Sequence, residues 1–165
     1  TLLAARDYLS GDCILAYGDI LFRHYVLDHL MATEGDIVLI ADALWRERDS
    51  DPQSSVRDLV ACSEPFKTGY LHGSAVALTR IAPDISESDI NGEWIGLAKL
   101  SATGAEIVRQ ELAAMKSDGS LKTASLVDLF TRLLSNGQDI KVVYIAGHWL
   151  DIDNPADLAD AQNFL

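Results

Sequence analysis

Apolar positions along the chain form short blocks of two kinds, and these blocks predict alternating strands and helices. Continuous apolar runs are typical of buried strands, and blocks at helical spacing indicate amphipathic helices. Predicted strands occupy 13–19, 37–44, 56–63, 73–80, 94–101 and 140–146, with a short extended piece inside 147–153. Predicted helices occupy 1–10, 23–32, 102–117, a segment ending near 135, and 155–165. The alternation predicts an α/β fold with a mixed, mostly parallel sheet flanked by helices.

Several helix ends carry their own signals. Ser101 is placed to cap the helix over 102–117, and either Thr123 or Ser125 is placed to cap the next one. That helix is expected to end at Asn136-Gly137, a pair typical of a C-cap. Pro155 suits the first turn of the last helix.

Composition indicates a soluble globular domain. The chain has 165 residues, 48% of them hydrophobic, which supports one domain with its own core. No apolar run approaches the roughly 18 residues needed to cross a bilayer, and no leader opens the chain, so the expected location is cytoplasmic. Cys13 and Cys62 lie in apolar runs, which favours buried thiols over a disulfide or a reactive thiol.

The charge balance narrows the classes of partner. A formal net charge of −12 argues against a protein that binds the phosphate backbone of a nucleic acid, since such proteins present a basic face. It leaves room for a free nucleotide, because an acidic site can hold phosphates through a bridging Mg²⁺.

Acidic residues follow two predicted strands. Asp19 comes after Tyr17-Gly18 at the end of the first strand, and Asp151 and Asp153 are two residues apart in an extended stretch after the last one. Ligands gather at the carboxyl ends of strands in α/β sheets, and carboxylates are ligands that Mg²⁺ prefers. The alternatives are a turn or helix cap at Asp19, a helix cap at Asp153 and a solvated Asp151.

Two tryptophans flank these candidate segments. Trp94 and Trp149 could form an aromatic wall that holds an ammonium group, with Glu93 adding charge. The alternative is that both indoles belong to the core.

Other catalytic patterns are missing or misplaced. A strand followed by Asp-x-Asp also opens the haloacid-dehalogenase phosphatases, but only residues 154–165 follow Asp153 here. Walker A, G-x-G-x-x-G, G-x-S-x-G and C-x-x-C patterns are absent, and the histidines show no zinc spacing. We expect these histidines to be surface or structural residues: His24, His29, His72 and His148. The alternative is that His72 and His148 lie near a substrate.

Three segments together resemble a known family. They are Tyr-Gly-Asp-Ile-Leu-Phe at 17–22, Gly-Glu-Trp-Ile-Gly-Leu-Ala-Lys-Leu-Ser at 92–101, and Gly-His-Trp-Leu-Asp-Ile-Asp-Asn-Pro-Ala-Asp-Leu at 147–158. In this order they resemble the GT-A-like nucleotidyltransferases. They are most similar to phosphocholine and 2-aminoethylphosphonate cytidylyltransferases, including the domain fused to phosphoenolpyruvate phosphomutase.

The resemblance implies a reaction and a site. The reaction would be Mg²⁺-dependent transfer of CMP from CTP to a small phosphate or phosphonate, with release of pyrophosphate. Asp19 and Asp153 would be catalytic, and Asp151 would join them as a metal ligand. The resemblance implies these substrate-binding residues: Tyr17, Gly18, Glu93, Trp94, Gly96 and Trp149. A homodimer is compatible with this assignment.

The sequence departs from the family at its beginning. The family opens with a strand, a glycine-rich loop L-x-A-G-x-G-x-R and a Pro-Lys pair, none of which is present. We therefore expect residues 1–165 to be a single domain, the C-terminal portion of a nucleotidyltransferase fold lacking its N-terminal strands. The missing half would be a partner. Two alternatives stay open, a sugar-1-phosphate nucleotidyltransferase and a non-catalytic module that binds a nucleotide or partner.

Overall fold

The computed structural model describes residues 2–47, 57–67, 75–152 and 154–164. The strands are β1 (Cys13–Ala16), β2 (Ile20–Phe22), β3 (Ile37–Asp42), β4 (Leu59–Cys62), β5 (Val76–Ala82), β6 (Gly92–Leu100), β7 (Ile140–Ile145) and β8 (Trp149–Asp151). The α-helices are α1 (His24–Ala32), α2 (Ala102–Asp118), α3 (Leu126–Ser135) and α4 (Pro155–Gln162). Three short 3₁₀ helices cover Leu2–Tyr8, Glu87–Asp89 and Ser120–Lys122. None of the described helices is long and apolar enough to cross a membrane.

Within the described residues the main sheet is mixed and has six strands in the order β1-β6-β3-β7-β5-β4, and β6 also pairs with β4. The mixed α/β class is confirmed, but the expectation of mostly parallel pairing is wrong. Among the described strands only β3 and β7 pair in parallel; β6 runs opposite to β1, β3 and β4, and β5 runs opposite to β4 and β7. A continuous apolar run indicates that a strand is covered on both faces. It does not determine whether the strand runs parallel or antiparallel to its neighbours.

Strand β3 shows why the sheet is buried on both faces. Ile37 and Leu39 face one apolar cluster, which contains side chains of α2 and α3 such as Leu112 and Phe130. The alternating residues Val38 and Ile40 face a second cluster with α1 and β8, whose members include Val26, Leu30 and Trp149. All six residues of β3 are buried, so the strand is a rigid support for whatever lies at its carboxyl end.

Helix boundaries agree with the capping signals. The Ser101 hydroxyl accepts a hydrogen bond from the backbone N–H of Gly104 at 3.1 Å. At the next helix the structure selects Ser125, which forms a capping box with Asp128. Gly137, just after α3, has the left-handed φ of 78° that a C-terminal glycine supplies.

Two local expectations change. The sequence predicts the end of an amphipathic helix over 1–10, whereas Leu2–Tyr8 is a 3₁₀ helix with no fully buried residue. Cys13 and Cys62 are free and partly buried. Burial raises the pKa of both thiols, that of Cys62 to about 11.

Candidate functional site

The carboxyl ends of β1, β3 and β7 lie at the same edge of the sheet. This follows from the pairings, since β1 and β3 both run opposite to β6 and β7 is parallel to β3. Asp19 follows β1 closely, Asp42 ends β3, and Gly147 follows β7. The edge therefore carries both of the acidic segments singled out in the sequence.

A two-stranded ribbon joins the two acidic segments. Strands β2 and β8 pair antiparallel with Ile20 opposite Asp151, and the backbone N–H of Ile152 donates to the carbonyl oxygen of Asp19 at 2.9 Å. The structure thus brings Asp19 and Asp151 into one ribbon although they are far apart in sequence. Asp153 lies outside the described residues.

Tyr17 lies at this edge, directly after β1. Its hydroxyl donates to Asp58 Oδ2 at 3.1 Å, and its ring lies 5.2 Å from the Trp94 ring, centroid to centroid. The backbone N–H of Tyr17 donates to the carbonyl of Gly96 at 3.0 Å. Gly96 has a φ of 79°, and a Cβ added there would lie 2.2 Å from Tyr17 Cδ2. The Tyr17 ring therefore covers Gly96 in a position that a side chain would take.

The electrostatics of Tyr17 show that the edge is negative. Burial raises the pKa of the Tyr17 hydroxyl most, followed by the charge of Asp58 and the hydrogen bond to it, and then by the charges of Asp19 and Asp151. Burial also raises the pKa of the Asp58 carboxyl, although its hydrogen bond from Tyr17 acts in the opposite direction. Three carboxylates from separate segments thus lie within electrostatic reach of one hydroxyl, and such a site favours a cation.

The two tryptophans lie in the core rather than on an open wall. Trp94 is 2% exposed, and its indole N–H donates to the carbonyl of Leu97 at 3.0 Å. Trp149 is 5% exposed. Glu93 is 8% exposed and lies opposite Asp42 in the β3–β6 pair. In this arrangement Trp94 supports the Tyr17 ring, and Tyr17 is the more accessible aromatic residue.

Asp42 is a further residue of this edge that the sequence motifs did not single out. Its side chain is 0% exposed, and Oδ1 accepts hydrogen bonds from the backbone N–H groups of Leu44 and Gly147, each at 2.9 Å. Its Oδ2 accepts from the indole N–H of Trp149 at 2.9 Å. The signal in the sequence was an acid directly after the five apolar residues 37–41. A charge at such a position is strongly destabilising unless it has hydrogen-bond partners.

The turn after β7 has an unusual backbone. Gly147 and His148 have φ values of 70° and 64°, and His148 is the sole non-glycine residue with positive φ in the described part of the chain. His148 Nδ1 and the Tyr25 hydroxyl are hydrogen-bonded at 2.7 Å, and the His148 carbonyl accepts from the N–H of Arg23 at 3.1 Å. His148 is thus a structural residue of this turn, whereas His72 lies outside the described residues.

An apolar groove of about 1070 Å³ opens beside β1. On the described residues, β1 is an edge strand, and Ile14 on it is 41% exposed. The groove is lined by side chains of the 3₁₀ helix Leu2–Tyr8, β1, α2 and α3, among them Leu3, Leu15, Met115 and Leu129. Met115 and Leu129 also belong to the main core cluster, so the core reaches the surface here.

The described side chains do not by themselves form a metal site. Across 2–47, 57–67, 75–152 and 154–164, no three His, Cys, Asp or Glu side chains are grouped so as to hold an ion. Mg²⁺ takes one or two carboxylates and completes its shell with water and phosphate oxygens. Asp19 and Asp151 are carboxylates of this kind, held on one ribbon.

Comparison with known proteins identifies the fold. No family model and no curated protein sequence matches the chain. Among solved structures, the inositol-1-phosphate CTP transferase from T. maritima matches with a TM-score of 0.70 and 20% identity over 99% of this chain and 58% of that one. The UTP-bound UGPase from Acinetobacter baumannii matches with a TM-score of 0.66 and 14% identity, over 97% of this chain and 53% of that one.

These likenesses show that the chain has a nucleotidyltransferase fold. At such low identity they show the fold alone. The chain spans a little more than half the length of these solved structures.

Proposed function

We propose that this chain is part of a Mg²⁺-dependent nucleotidyltransferase that transfers CMP from CTP to a small phosphate or phosphonate, releasing pyrophosphate. The observation that carries the proposal is the β2–β8 ribbon, which joins Asp19 to Asp151 at the sheet edge of a nucleotidyltransferase fold. The choice of CTP is supported by the inositol-1-phosphate CTP transferase among the structural neighbours.

In the proposed reaction an oxygen of the acceptor's phosphate or phosphonate attacks the α-phosphorus of CTP. The bond from that phosphorus to the bridging oxygen of the β-phosphate breaks, and pyrophosphate leaves. Asp19 and Asp153, with Asp151, would hold Mg²⁺, which supplies charge neutralisation on the phosphates. The ionised acceptor oxygen is already a nucleophile, so the protein contributes position and electrostatics.

The surroundings of Tyr17 bear on the acceptor. This edge combines the aromatic ring of Tyr17 with the carboxylates of Asp58 and Glu93. Such a combination suits a positively charged group. Phosphocholine and 2-aminoethylphosphonate carry such a group, and we propose acceptors of this type. In the proposed site, Gly18 allows close approach of the ligand, and Gly96 leaves room for the Tyr17 ring. Trp94 packs against Tyr17, and the indole N–H of Trp149 donates to Asp42.

We further propose that the N-terminal half of the same nucleotidyltransferase domain completes the site, and that the intact domain is of the kind fused to phosphoenolpyruvate phosphomutase. Two observations support this: the chain covers 58% of its cytidylyltransferase-type neighbour, and an apolar groove lies beside the edge strand β1. An exposed edge strand readily accepts another strand. A homodimer that covers the same groove is the competing assembly. Because CTP is a cytoplasmic metabolite, the proposed reaction is cytoplasmic.

A second candidate function is a sugar-1-phosphate nucleotidyltransferase. The UTP-bound UGPase among the structural neighbours favours it. A third is a binding module without turnover, which the groove and the partial coverage favour if no further segment joins the chain.

The test is pyrophosphate release by the chain, alone and joined to its natural upstream segment, with four nucleoside triphosphates and Mg²⁺. Acceptors would be phosphocholine, 2-aminoethylphosphonate, inositol-1-phosphate and glucose-1-phosphate. Release with CTP and a cationic acceptor is the expected result, and Asp19→Asn should lower turnover at least a hundredfold. Asp28→Asn is the matched control, because Asp28 is an exposed acid on α1 that pairs with His24 at 2.9 Å.

Other outcomes separate the candidates. Release with glucose-1-phosphate alone supports the sugar enzyme and refutes the cationic acceptor. Nucleotide binding without release, in both forms of the folded protein, supports the binding module. Equal turnover by Asp19→Asn and Asp28→Asn would refute the assignment of the site.

A further inference from the structure

The strongest unassigned feature is the buried carboxylate at the end of β3. Three N–H groups converge on Asp42, two on Oδ1 and one on Oδ2, each at 2.9 Å. Two of the donors, Gly147 N and Trp149 Nε1, come from a turn that is 105 and 107 residues away in sequence. A buried carboxylate is stable only when such donors replace its water, so Asp42 and this turn depend on each other.

The turn needs an external restraint. Gly147 and His148 are consecutive residues in the left-handed region, with φ values of 70° and 64°. A histidine adopts this region only against a steric cost, and such conformations persist where the surroundings determine them. The Asp42 carboxylate accepts hydrogen bonds from the Gly147 N–H and from the Trp149 indole N–H. These two residues flank His148, so Asp42 restrains the turn from both sides.

The restraint on the turn extends to the β2–β8 ribbon. Strand β8 begins at Trp149, which lies opposite Phe22, and ends at Asp151, which lies opposite Ile20. Trp149 therefore fixes where β8 begins, and the ribbon extends from there to Asp151, whose neighbour Ile152 donates to the carbonyl of Asp19. We infer that Asp42 is a positioning residue that fixes the turn 147–149 and, through β8, the separation between Asp151 and Asp19. The consequence for metal binding rests on the proposed function, and the restraint of the turn does not.

The test uses Asp42→Asn, which keeps the size of the side chain but has one acceptor oxygen. If that oxygen faces Leu44 and Gly147, the amide NH₂ meets the indole N–H of Trp149; if it faces Trp149, the NH₂ meets the two backbone N–H groups. Either orientation sets donor against donor. Trp149→Phe removes the indole donor, so the double variant accommodates the introduced amide without that conflict.

Hydrogen exchange of the Gly147 amide is the first readout. Asp42→Asn should speed its exchange at least tenfold relative to core amides of β3, and adding Trp149→Phe should restore part of the protection. Glu111→Gln is the matched control, because Glu111 is also a buried acid, 8% exposed, but binds Arg132 and Asn136 between α2 and α3. It should leave the exchange of Gly147 relative to β3 unchanged.

Mn²⁺ affinity, used as the metal probe, is the second readout. Asp42→Asn should weaken it about tenfold and Glu111→Gln should not. Unchanged relative exchange at Gly147 in Asp42→Asn overturns the inference. If Asp42→Asn does not fold, the single variant Trp149→Phe tests the inference instead. Loss of the indole donor should speed exchange of the Gly147 amide severalfold. Unchanged exchange in this variant refutes the restraint. If the unmodified chain binds no Mn²⁺ while the exchange results hold, the proposed metal site fails and the restraint stands.

Discussion

Replacing Gly96 by alanine tests the packing at the centre of the candidate site. Gly96 lies under the Tyr17 ring, and a Cβ there would lie 2.2 Å from Cδ2, 2.7 Å from Cγ and 3.0 Å from Cε2 of that ring. These contacts are with ring atoms joined closely to the backbone, and the Tyr17 N–H is itself bound to the Gly96 carbonyl. The ring must therefore swing out of its position.

The expected cost follows from what the ring gives up. A left-handed alanine costs about 1 kcal/mol or more, and loss of an aromatic pair costs roughly 0.5–1.5 kcal/mol. The hydrogen bond from Tyr17 to the Asp58 carboxyl is of the charged kind, worth about 1.5–3 kcal/mol. Taking the lower end of each range, Gly96→Ala should lower the free energy of unfolding by about 3 kcal/mol.

Urea unfolding followed by circular dichroism measures this loss. Gly11→Ala is the control for backbone strain, because Gly11 has a φ of 80° but open space around its Cβ position; it should cost about 1 kcal/mol. In a Tyr17→Ala background, Gly96→Ala should cost no more than Gly11→Ala. The reasoning is refuted if Gly96→Ala and Gly11→Ala cost the same in the parent chain, or if removing Tyr17 leaves the cost of Gly96→Ala unchanged.

Two further predictions concern the same edge. Burial raises the pKa of Asp58 in the folded state above its unfolded-state value of about 3.9. The folded protein is therefore most stable, with respect to this group, below that unfolded-state value. This stability is lost as the pH rises through the folded-state pKa. Asp58→Asn, which still accepts from Tyr17, should therefore gain in melting temperature over the parent between pH 4 and pH 7, and a pH-independent difference would contradict this. His148→Gly and His148→Ala both lose the hydrogen bond with Tyr25, but only alanine keeps the left-handed strain. The glycine variant should be the more stable by about 1 kcal/mol in urea, and the reverse order would contradict the strain.

Local features of the fold could be read from the sequence because their causes are local. Ser101 caps α2 and Asn136-Gly137 ends α3 as predicted, since a cap depends on a side chain and a backbone group within one turn. The choice between Thr123 and Ser125 needed the structure, because Asp128 completes a capping box for Ser125. Strand direction needed it too, since the burial of β6 on both faces results equally from parallel and antiparallel neighbours.

The residues of the candidate site also differ in how clearly the sequence indicates them. Asp19 and Asp151 could be paired from the sequence because each follows a strand, and the carboxyl ends of such strands share an edge. Asp42 and Asp58 carry a weaker signal, because a single acid beside an apolar run is usually a turn residue. Their importance comes from partners distant in sequence, Gly147 and Tyr17, and these contacts exist only once the sheet has formed.

The charge of this edge has a consequence for how a polyanionic nucleotide would bind. Two unit charges of the same sign 4 Å apart repel by about 4 kcal/mol near a protein surface. The carboxylates of Asp19, Asp58 and Asp151 around Tyr17 therefore oppose a bare triphosphate. In the proposed site, a metal ion bound at the ribbon would reverse this opposition. The proposed function therefore predicts that this chain, with its net charge of −12, binds CTP far more weakly without Mg²⁺ than with it.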